Sequence, residues 1–416
     1  MLKVITKDDR NVEEILTLES IARMGARKML QKAIEGEVLD YLALFEDERD
    51  EDGRQLVVRN GKGRPRKIAF GVGKIELSVP RVLDRRAGEK FTSALLPPYM
   101  RRSPQLSEAL PVLYLKGISC GDFSEALAGI MGEASGGFSA SVISRLKSVW
   151  EEEHLSWSKR SLVAKEYVYV WADGVHIGVR LGEDKSVCLL VLVGATADGK
   201  KELIAVVDGY RESTESWLGL LRDLKRRGLK APLVAVGDGA LGFWGAVGEV
   251  YPETKHQRCW LHKIRNVLNY LPKRLQKQAK ARLDEMQNSD TRELALEEMK
   301  RFAGEYGTKH PKAVDCLEKD KVELLAFYDF PAEHWGHLRT TNPIESPFAT
   351  VRLRTNKTKG AGSRTMAMTM AFKLLESAEK RWRKINAPQK ARKLWQGVKF
   401  TDGMDLTSSK PERSVA

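Results

Sequence analysis

Alternating strand-like and helix-like stretches between residues 165 and 262 constrain the fold of this chain more than any other feature. The first stretch, Tyr167–Ile177, is rich in Val, Tyr and Trp, as buried strands are. The patterns predict, in order, three strands, a helix, a strand, a helix and a last strand: 166–172, 187–196, 202–207, 214–227, 233–236, 241–250 and 255–259. Asp-Gly turns or short polar loops join the first three strands into a meander, whereas the later strands alternate with helices and require parallel crossovers.

Three antiparallel strands followed by helix, strand, helix and strand is the order of the α/β ribonuclease-H-like fold. In such a mixed sheet we expect Asp173 at the end of the first strand, where an Asp-Gly pair predicts a turn. Asp238 comes just after the fourth strand. The pattern therefore predicts that the two carboxylates emerge at the same edge of the sheet.

Helical patterns dominate the sequence on both sides of this core. An amphipathic helix or two is predicted in 13–45, and the apolar–polar alternation in 74–81 predicts a short strand. Three short helices are predicted at 106–116, 122–131 and 139–150, with a glycine-rich turn at 132–137 before the third. They are compatible with either a helix-turn-helix DNA reader or any small three-helix bundle. The predicted segments are an N-terminal, mostly helical DNA-binding region with a basic loop, a helix-turn-helix-like domain, the first part of the core, an all-helical insertion, the core completion with a C-terminal helix, and a loose tail: 1–100, 101–160, 161–262, 263–335, 336–395 and 396–416.

The charge balance points to a polyanionic partner. Lys and Arg total 70 against 56 Asp and Glu, a formal net charge of +14, which favours nucleic acid first and an anionic membrane surface second. A basic but otherwise ordinary soluble protein is the alternative. Four scattered Cys residues predict a reducing compartment without a disulfide framework, and no apolar run is long enough to span a bilayer.

Three carboxylates are candidates for phosphodiester chemistry: Asp173, Asp238 and Glu345. Mg²⁺ prefers such hard oxygen ligands, and two ions about 3.5–4 Å apart can activate the attacking oxygen and stabilise the leaving one. The plainer alternative treats the Asp-Gly pairs as ordinary turns, as Asp198-Gly and Asp208-Gly are expected to be. Glu345 would then merely favour the dipole of a helix that begins just before it.

Four motifs occur together in a fixed order: Trp171–His176, Gly237–Trp244, Gln257–Asn266 and Thr340–Glu345. In this combination the chain resembles the Mutator-like bacterial insertion-sequence transposases of the DDE class, from about residue 30 to residue 382. The resemblance implies a ribonuclease-H-like catalytic core with an all-α insertion before the catalytic Glu. It also implies Mg²⁺-dependent cleavage and joining at terminal inverted repeats, with Mn²⁺ able to replace Mg²⁺. The catalytic, metal-binding triad of the family matches Asp173, Asp238 and Glu345.

Two further features of the resemblance leave alternatives open. The family's Cys-x-x-His motif matches Cys259 and His262. A zinc ligand pair is one interpretation, but zinc takes four ligands and no second Cys pair lies nearby, so a structural or DNA-proximal role is favoured. Trp335 matches a residue that in similar enzymes stacks on a base at the cleaved end, and a core Trp is the alternative.

Basic residues are spread along the chain in positions suited to phosphate contacts. The candidate DNA-binding residues, besides Trp335, are Arg64, Arg66, Lys67, Arg145, Lys147, Arg265, Arg352, Arg354, Lys357, Lys359 and Arg364. Any one of them can be part of a solvated face, but their number around a nuclease-like core favours DNA.

The expected function is therefore that of a DNA transposase that binds terminal inverted repeats, cleaves there and transfers the strand to target DNA. Two ends must be joined in one complex, so we expect a homodimer or a higher oligomer on DNA. The expected location is the bacterial cytoplasm, at the nucleoid and away from the membrane. A catalytically silent DNA-binding regulator derived from a transposase, and a simple nuclease without a joining step, are the rival functions.

Overall fold

A computed structural model describes the protein over most of its length. The described residues are 17–116, 118, 125, 140–180, 185–209, 213–239, 241–357 and 359–407. The chain divides into two compact units, Met1–Leu146 and Lys147–Ala416. No helix within the described ranges combines the length and the apolar character needed to cross a bilayer.

The first unit is a mixture of helix and strand. Its elements are α1 (Leu18–Leu44), β1 (Val57–Lys62), β2 (Arg66–Phe70), β3 (Gly73–Leu77), β4 (Pro80–Asp84) and α2 (Pro104–Leu115). The strands form two antiparallel pairs, β1 with β4 and β2 with β3. Alternation along β2 and β3 puts Ile68, Ile75 and Leu77 on one face, where they pack with Ile34 of α1. The expectation of a mostly helical N-terminal region is therefore wrong for 57–84.

The helix-turn-helix prediction is only partly addressed by the structure. Helix α2 matches the first predicted helix, and α3 (Ala140–Ser158) begins where the third was expected and runs further. The second predicted helix and the glycine-rich turn, 122–137, fall outside the described residues except for residue 125. The arrangement of the three helices therefore stays a prediction.

The second unit is built on a five-stranded mixed sheet, as predicted. Its strands are β5 (Tyr167–Gly178), β6 (Ser186–Thr196), β7 (Lys201–Gly209), β8 (Val234–Gly237) and β9 (Lys255–Arg258). Their order is β7-β6-β5-β8-β9, in which β5, β6 and β7 are antiparallel while β8 and β9 run parallel to β5. The crossovers are made by α4 (Thr214–Arg226) and α5 (Leu241–Val250).

Both faces of β5 are buried, which explains why its sequence is almost continuously apolar. On one face Val170 packs in a core that includes Trp217 and Leu224 of α4. Burial of each such side chain contributes about 1.5–3 kcal/mol. On the other face, the Tyr169 hydroxyl lies 2.6 Å from His334 Nδ1, and Trp171 Nε1 donates to the backbone carbonyl of residue 337 at 2.9 Å.

Strand β5 is longer than predicted, and the turn expected at Asp173-Gly174 is wrong. Asp173 pairs with Val191 and Gly174 with Leu190, and the ladder runs on to Gly178. The buried, apolar β6 supplies a partner for each of these residues. The continued antiparallel ladder therefore outweighs the local preference of Asp-Gly for a turn.

Helices fill the chain between β9 and the motif that contains Glu345, as the sequence predicts. They are α6 (Trp260–Leu268), α7 (Lys273–Gln287), α8 (Arg292–Tyr306), α9 (Pro311–Glu318), α10 (Lys321–Leu324) and α11 (Trp335–Leu338). The two ends of this helical segment meet, because the Trp260 N–H donates to the Arg339 carbonyl at 2.8 Å. Three helices follow: α12 (Asn342–Lys357), α13 (Arg364–Glu379) and α14 (Pro388–Trp395).

The expected loose tail is ordered over the residues that the structure describes. Strands β10 (Phe400–Thr401) and β11 (Met404–Asp405) form a small antiparallel hairpin. Its turn is tied to the helical segment, because the Gly403 carbonyl accepts the Ala332 N–H and the Gly403 N–H donates to the Tyr328 carbonyl. Residues 408–416 lie outside the described part of the chain.

Candidate functional site

The parallel pairing of β5 with β8 sets the two Asp residues side by side. Trp171 is the partner of Val236, a difference of 65 positions. Asp173 and Asp238 are separated by the same 238 − 173 = 65 positions. Continued two positions beyond this last pair, the same register would bring Asp173 level with Asp238, which directly follows β8.

A third side chain extends this alignment to β9. Gly237 is the partner of Arg258, so the next positions, Asp238 and Cys259, are level with each other. The Cys259 N–H donates to the Gly237 carbonyl at 2.8 Å, which continues the ladder by one bond. Asp173, Asp238 and Cys259 thus form one row across three parallel strands, here called the carboxyl-end row.

Thr341 connects this row to Glu345. Helix α12, which begins at the next residue, packs against β5, and the Glu345 N–H donates to the Thr341 carbonyl at 2.9 Å. The Thr341 N–H donates to Cys259 Sγ at 3.4 Å. The Thr341 hydroxyl lies 3.3 Å from the same sulfur and hydrogen-bonds Glu345 Oε1. One residue therefore holds both the cysteine of the row and the carboxylate of α12.

His262 completes the group from the first turn of α6. Its Nδ1 lies 3.3 Å from Cys259 Sγ and 3.7 Å from Glu345 Oε1. The three donor atoms of Cys259, His262 and Glu345 all lie within 4.8 Å of one another. Within the described residues, this compact group does not include Asp173 or Asp238, which belong to the carboxyl-end row beside it.

Burial and hydrogen bonding shift the pKa values of the cysteine and the histidine in opposite directions. The hydrogen bond with Cys259 raises the pKa of His262, against the effect of burial, and the charges of Cys259, Glu345 and Asp238 raise it further. Burial alone would raise the pKa of the Cys259 thiol, but hydrogen bonds from His262 and Thr341 outweigh it and lower that pKa. The pair is biased toward imidazolium and thiolate.

The three carboxylates are half-buried, so each is accessible from solvent. Oδ1 of Asp173 accepts the backbone N–H of Gly174 at 2.8 Å. Gly239, next to Asp238, has a φ of +87°, and a Cβ there would overlap the Arg258 guanidinium. The positive φ favours glycine at 239, and a Cβ there would have to displace the Arg258 side chain.

The candidate DNA-binding residues differ in their surroundings. Seven of them are exposed, namely Arg64, Lys67, Arg145, Arg265, Arg352, Lys357 and Lys359. Lys147 is half-buried. Arg66 donates to the carbonyls of Leu96 and Pro97, and Arg364 pairs with Asp208. Arg354 is only 3% exposed, so its contact with DNA stays a prediction that its burial disfavours.

Trp335 belongs to the core of the helical segment. It is 8% exposed, and its Nε1 donates to the Phe330 carbonyl at 2.9 Å. The rings of Phe327 and Tyr328 meet it edge to face. These contacts favour the core alternative, and stacking on a base stays a prediction.

The sequence did not single out Thr341, although it lies within the Thr340–Glu345 motif, four residues before the glutamate. The available signal was the position of the Thr341 hydroxyl one helical turn before Glu345, where it can hydrogen-bond a candidate metal ligand. The contact of Cys259 and His262 with Glu345 had no local signal, because more than eighty positions separate them along the chain.

Comparison with known proteins gives a consistent result. The family described as "Transposase, Mutator family" matches residues 3–385. The transposase for insertion sequence element IS6120 of Mycolicibacterium smegmatis is 53% identical over 72% of this chain and 92% of that protein. The transposase for insertion sequence element IST2 of Acidithiobacillus ferrooxidans is 51% identical over 69% of this chain and 97% of that protein. Among solved structures, the Drosophila P element transposase strand transfer complex aligns with a TM-score of 0.28 and 10% identity over 70% of this chain and 91% of that chain.

Proposed function

Because this chain belongs to the Mutator family of transposases, we propose that it cleaves and joins DNA by a DDE two-metal mechanism in which Asp173, Asp238 and Glu345 hold the metal ions. Its substrates are the terminal inverted repeats of its element and a target DNA. The observation that supports the proposal is the parallel register of β5 and β8, which, continued by two positions, would bring Asp173 level with Asp238. Glu345 is joined to the same row through Thr341 and Cys259.

The donor set fits Mg²⁺, with Mn²⁺ as a substitute, because the three carboxylates offer hard oxygen ligands and are half-buried. Bound there, the ions would supply an activated attacking oxygen and a stabilised leaving oxygen. The residues of the chain hold the ligands in position. Thr341 orients Glu345, and His262 lies beside the same carboxylate. No covalent protein intermediate is part of this mechanism, and the Cys259 thiol is fully buried.

The remaining parts of the proposal concern the fold and the DNA. The sheet order β7-β6-β5-β8-β9, with three antiparallel strands followed by two parallel ones, supports a ribonuclease-H-like core. The exposed basic residues would bind phosphates without reading bases. Two DNA ends must be held together for joining, so the working form is at least a homodimer, acting at the bacterial nucleoid.

A cleavage assay tests this function. Labelled duplexes carrying the ends that flank the gene are incubated with and without Mg²⁺, using wild type, Asp173→Asn, Asp238→Asn and Glu345→Gln. Asp198→Asn is the matched control, since its carboxylate pairs with Arg392 at the surface. Metal-dependent release of a 3′ end, lost in the first three variants and retained in the control, is the expected result.

The same assay separates the rival functions. Tight binding of the ends without cutting by wild type, even with Mn²⁺, would identify a DNA-binding regulator. Cutting without any strand-transfer product on added target DNA would identify a simple nuclease. Thermal unfolding of each variant, followed by circular dichroism, excludes misfolding as the cause of a lost activity.

A further inference from the structure

The group formed by Cys259, His262 and Glu345 has the dimensions of a tetrahedral metal site. Bonds of about 2.3 Å to sulfur and about 2.0 Å to nitrogen or oxygen place S and N about 3.5 Å apart and N and O about 3.3 Å apart. The observed separations are 3.3 Å for Sγ to Nδ1 and 3.7 Å for Nδ1 to Oε1. These two separations lie within a few tenths of an ångström of the tetrahedral values, and all three donor atoms lie within 4.8 Å of one another.

We propose that Cys259, His262 and Glu345 bind a thiophilic transition-metal ion of the Zn²⁺ class, at a site that shares Glu345 with the Mg²⁺ site formed with Asp173 and Asp238. Thiolate and imidazole are the ligands that such ions select, whereas Mg²⁺ takes oxygen ligands. In the sequence, the lack of a second Cys pair near Cys259 disfavours a zinc site. The fold supplies the third ligand, Glu345, from a distant helix.

The surroundings of the sulfur suit a metal-bound thiolate. The Thr341 N–H points at Sγ from 3.4 Å, and the Thr341 hydroxyl lies 3.3 Å away. Hydrogen bonds of this kind orient a ligand and tune its basicity. Cys259 is fully buried, while the side chains of His262 and Glu345 are 24% and 27% exposed. An ion would thus reach the site from the His262 and Glu345 side, and water would complete its coordination.

One consequence rests on the proposed function. An ion held by Cys259 and His262 would engage Glu345 Oε1 and place an additional positive charge beside the Mg²⁺ ions, so it would compete with them for this carboxylate. Zn²⁺ would then inhibit DNA cleavage in the presence of excess Mg²⁺. The geometry points to a site through which a soft metal ion limits transposition.

The binding part is tested without any activity measurement. The metal-free full chain is titrated with Co²⁺, and the near-ultraviolet thiolate-to-Co²⁺ charge-transfer band is recorded. Wild type and Cys188→Ala, a matched variant at another buried cysteine, are expected to give the band, and Zn²⁺ is expected to abolish it. Cys259→Ala is expected to lose the band, and His262→Ala and Glu345→Gln to weaken Co²⁺ binding by about tenfold or more.

Absence of the band in wild type, or its persistence in Cys259→Ala, would overturn the site. His262→Ala keeps the test informative if Cys259→Ala does not fold, because His262 is partly exposed. The inhibition part compares cleavage with and without Zn²⁺ within each protein. Wild type is expected to be inhibited more strongly than Cys259→Ala, and equal inhibition of the two would refute the shared use of Glu345. If no protein cleaves DNA, the proposed function fails while the optical result still decides the metal site.

Discussion

The two ends of the central sheet carry the same Asp-Gly dipeptide in different settings. At the end where β5 begins, Asp198-Gly199 forms the β6–β7 turn, with a φ of +74° at Gly199 and Asp198 paired with Arg392. At the carboxyl end of β8, Asp238 directly follows the strand and belongs to the row with Cys259, while Asp173 lies inside the longer β5. The dipeptide itself does not distinguish a turn from a candidate site. What distinguishes them is the pairing of the strands on either side.

The largest expected effect is on catalysis at the carboxyl end. Asp173→Asn or Asp238→Asn should lower end cleavage by at least about 10³-fold, because the loss of a metal ligand removes several kcal/mol of transition-state stabilisation. Single-turnover cleavage with excess protein measures it. A residual rate within tenfold of wild type in either variant would remove that carboxylate from the site and with it the contrast between the two ends.

Glycine substitutions compare the two ends of the sheet through their effect on the free energy of unfolding. Gly239→Ala and Gly199→Ala should each lower the free energy of unfolding by about 1–3 kcal/mol, because both glycines have positive φ and little room for a Cβ. Urea denaturation measures this. Gly397→Ala is the control for backbone strain alone, since its φ is +92° and nothing lies within 4 Å of the added Cβ.

The same two variants should differ in activity. Gly239→Ala displaces the Arg258 guanidinium beside Asp238, so cleavage should fall even at a temperature where the protein is fully folded. Gly199→Ala meets Pro388 at the other end of the sheet and should leave the specific activity near that of wild type. Equal loss of activity in both would mean that the two ends are mechanically coupled.

A pH effect is expected near the turn end. Burial, and next the charge of Lys201, lower the pKa of His337 to about 4, from an ordinary value of 6.5. The unfolded chain therefore takes up a proton at a pH where the folded chain does not. Stability is full above about pH 6.5 and falls as the pH drops toward about 4.

After allowance for partial exposure, the His337 contribution is about 1–2 kcal/mol. The difference in urea midpoint between about pH 7 and about pH 5 should shrink in His337→Gln. His310→Gln, in the helical segment, is the control and should keep the wild-type difference. An unchanged pH dependence in His337→Gln would assign the acid sensitivity to other groups.

The smallest effect is expected for Asp198→Asn. Its ion pair with Arg392 is exposed on both sides, and such pairs add little to stability because water screens them. We expect no resolvable change in the unfolding midpoint or in cleavage. A large loss of cleavage in this variant would contradict the view that only the carboxyl end is functional.

Much of the second unit was predictable because its signals are local. The spacing of apolar residues predicts the order of strands and helices. Because Asp173 and Asp238 each come at or just after the predicted end of a strand, the sequence also predicts that they emerge at the same edge of the sheet. The extension of β5 through Asp173-Gly174 was not predictable, because it depends on the partner residues Val191 and Leu190 of β6. Long-range pairing decided against the local turn preference.

The other differences between the predicted and the observed structure also come from contacts between residues far apart in the sequence. In the first unit, Ile68, Ile75 and Leu77 face α1 from a hairpin of which the sequence predicts only one strand, within 74–81. Trp335 is a core residue because Phe327 and Tyr328 pack against it, and no sequence pattern distinguishes that from an exposed stacking residue. Contacts across many positions are set by the fold and cannot be read from spacing.

The hydrogen bond from the backbone N–H of Trp260 to the Arg339 carbonyl holds the two ends of the helical segment together, and this segment, residues 260–339, is here called the cassette. Cys259 lies just before the cassette and Thr341 shortly after it, so their contact does not depend on how much chain lies between. Doubling a flexible loop with fixed ends costs only about 0.6 kcal/mol in closure entropy. Evolution can therefore lengthen, trim or exchange this cassette while the site keeps its dimensions. Distant relatives are better recognised by the short sequences at the two junctions than by the distance between the second and third carboxylates.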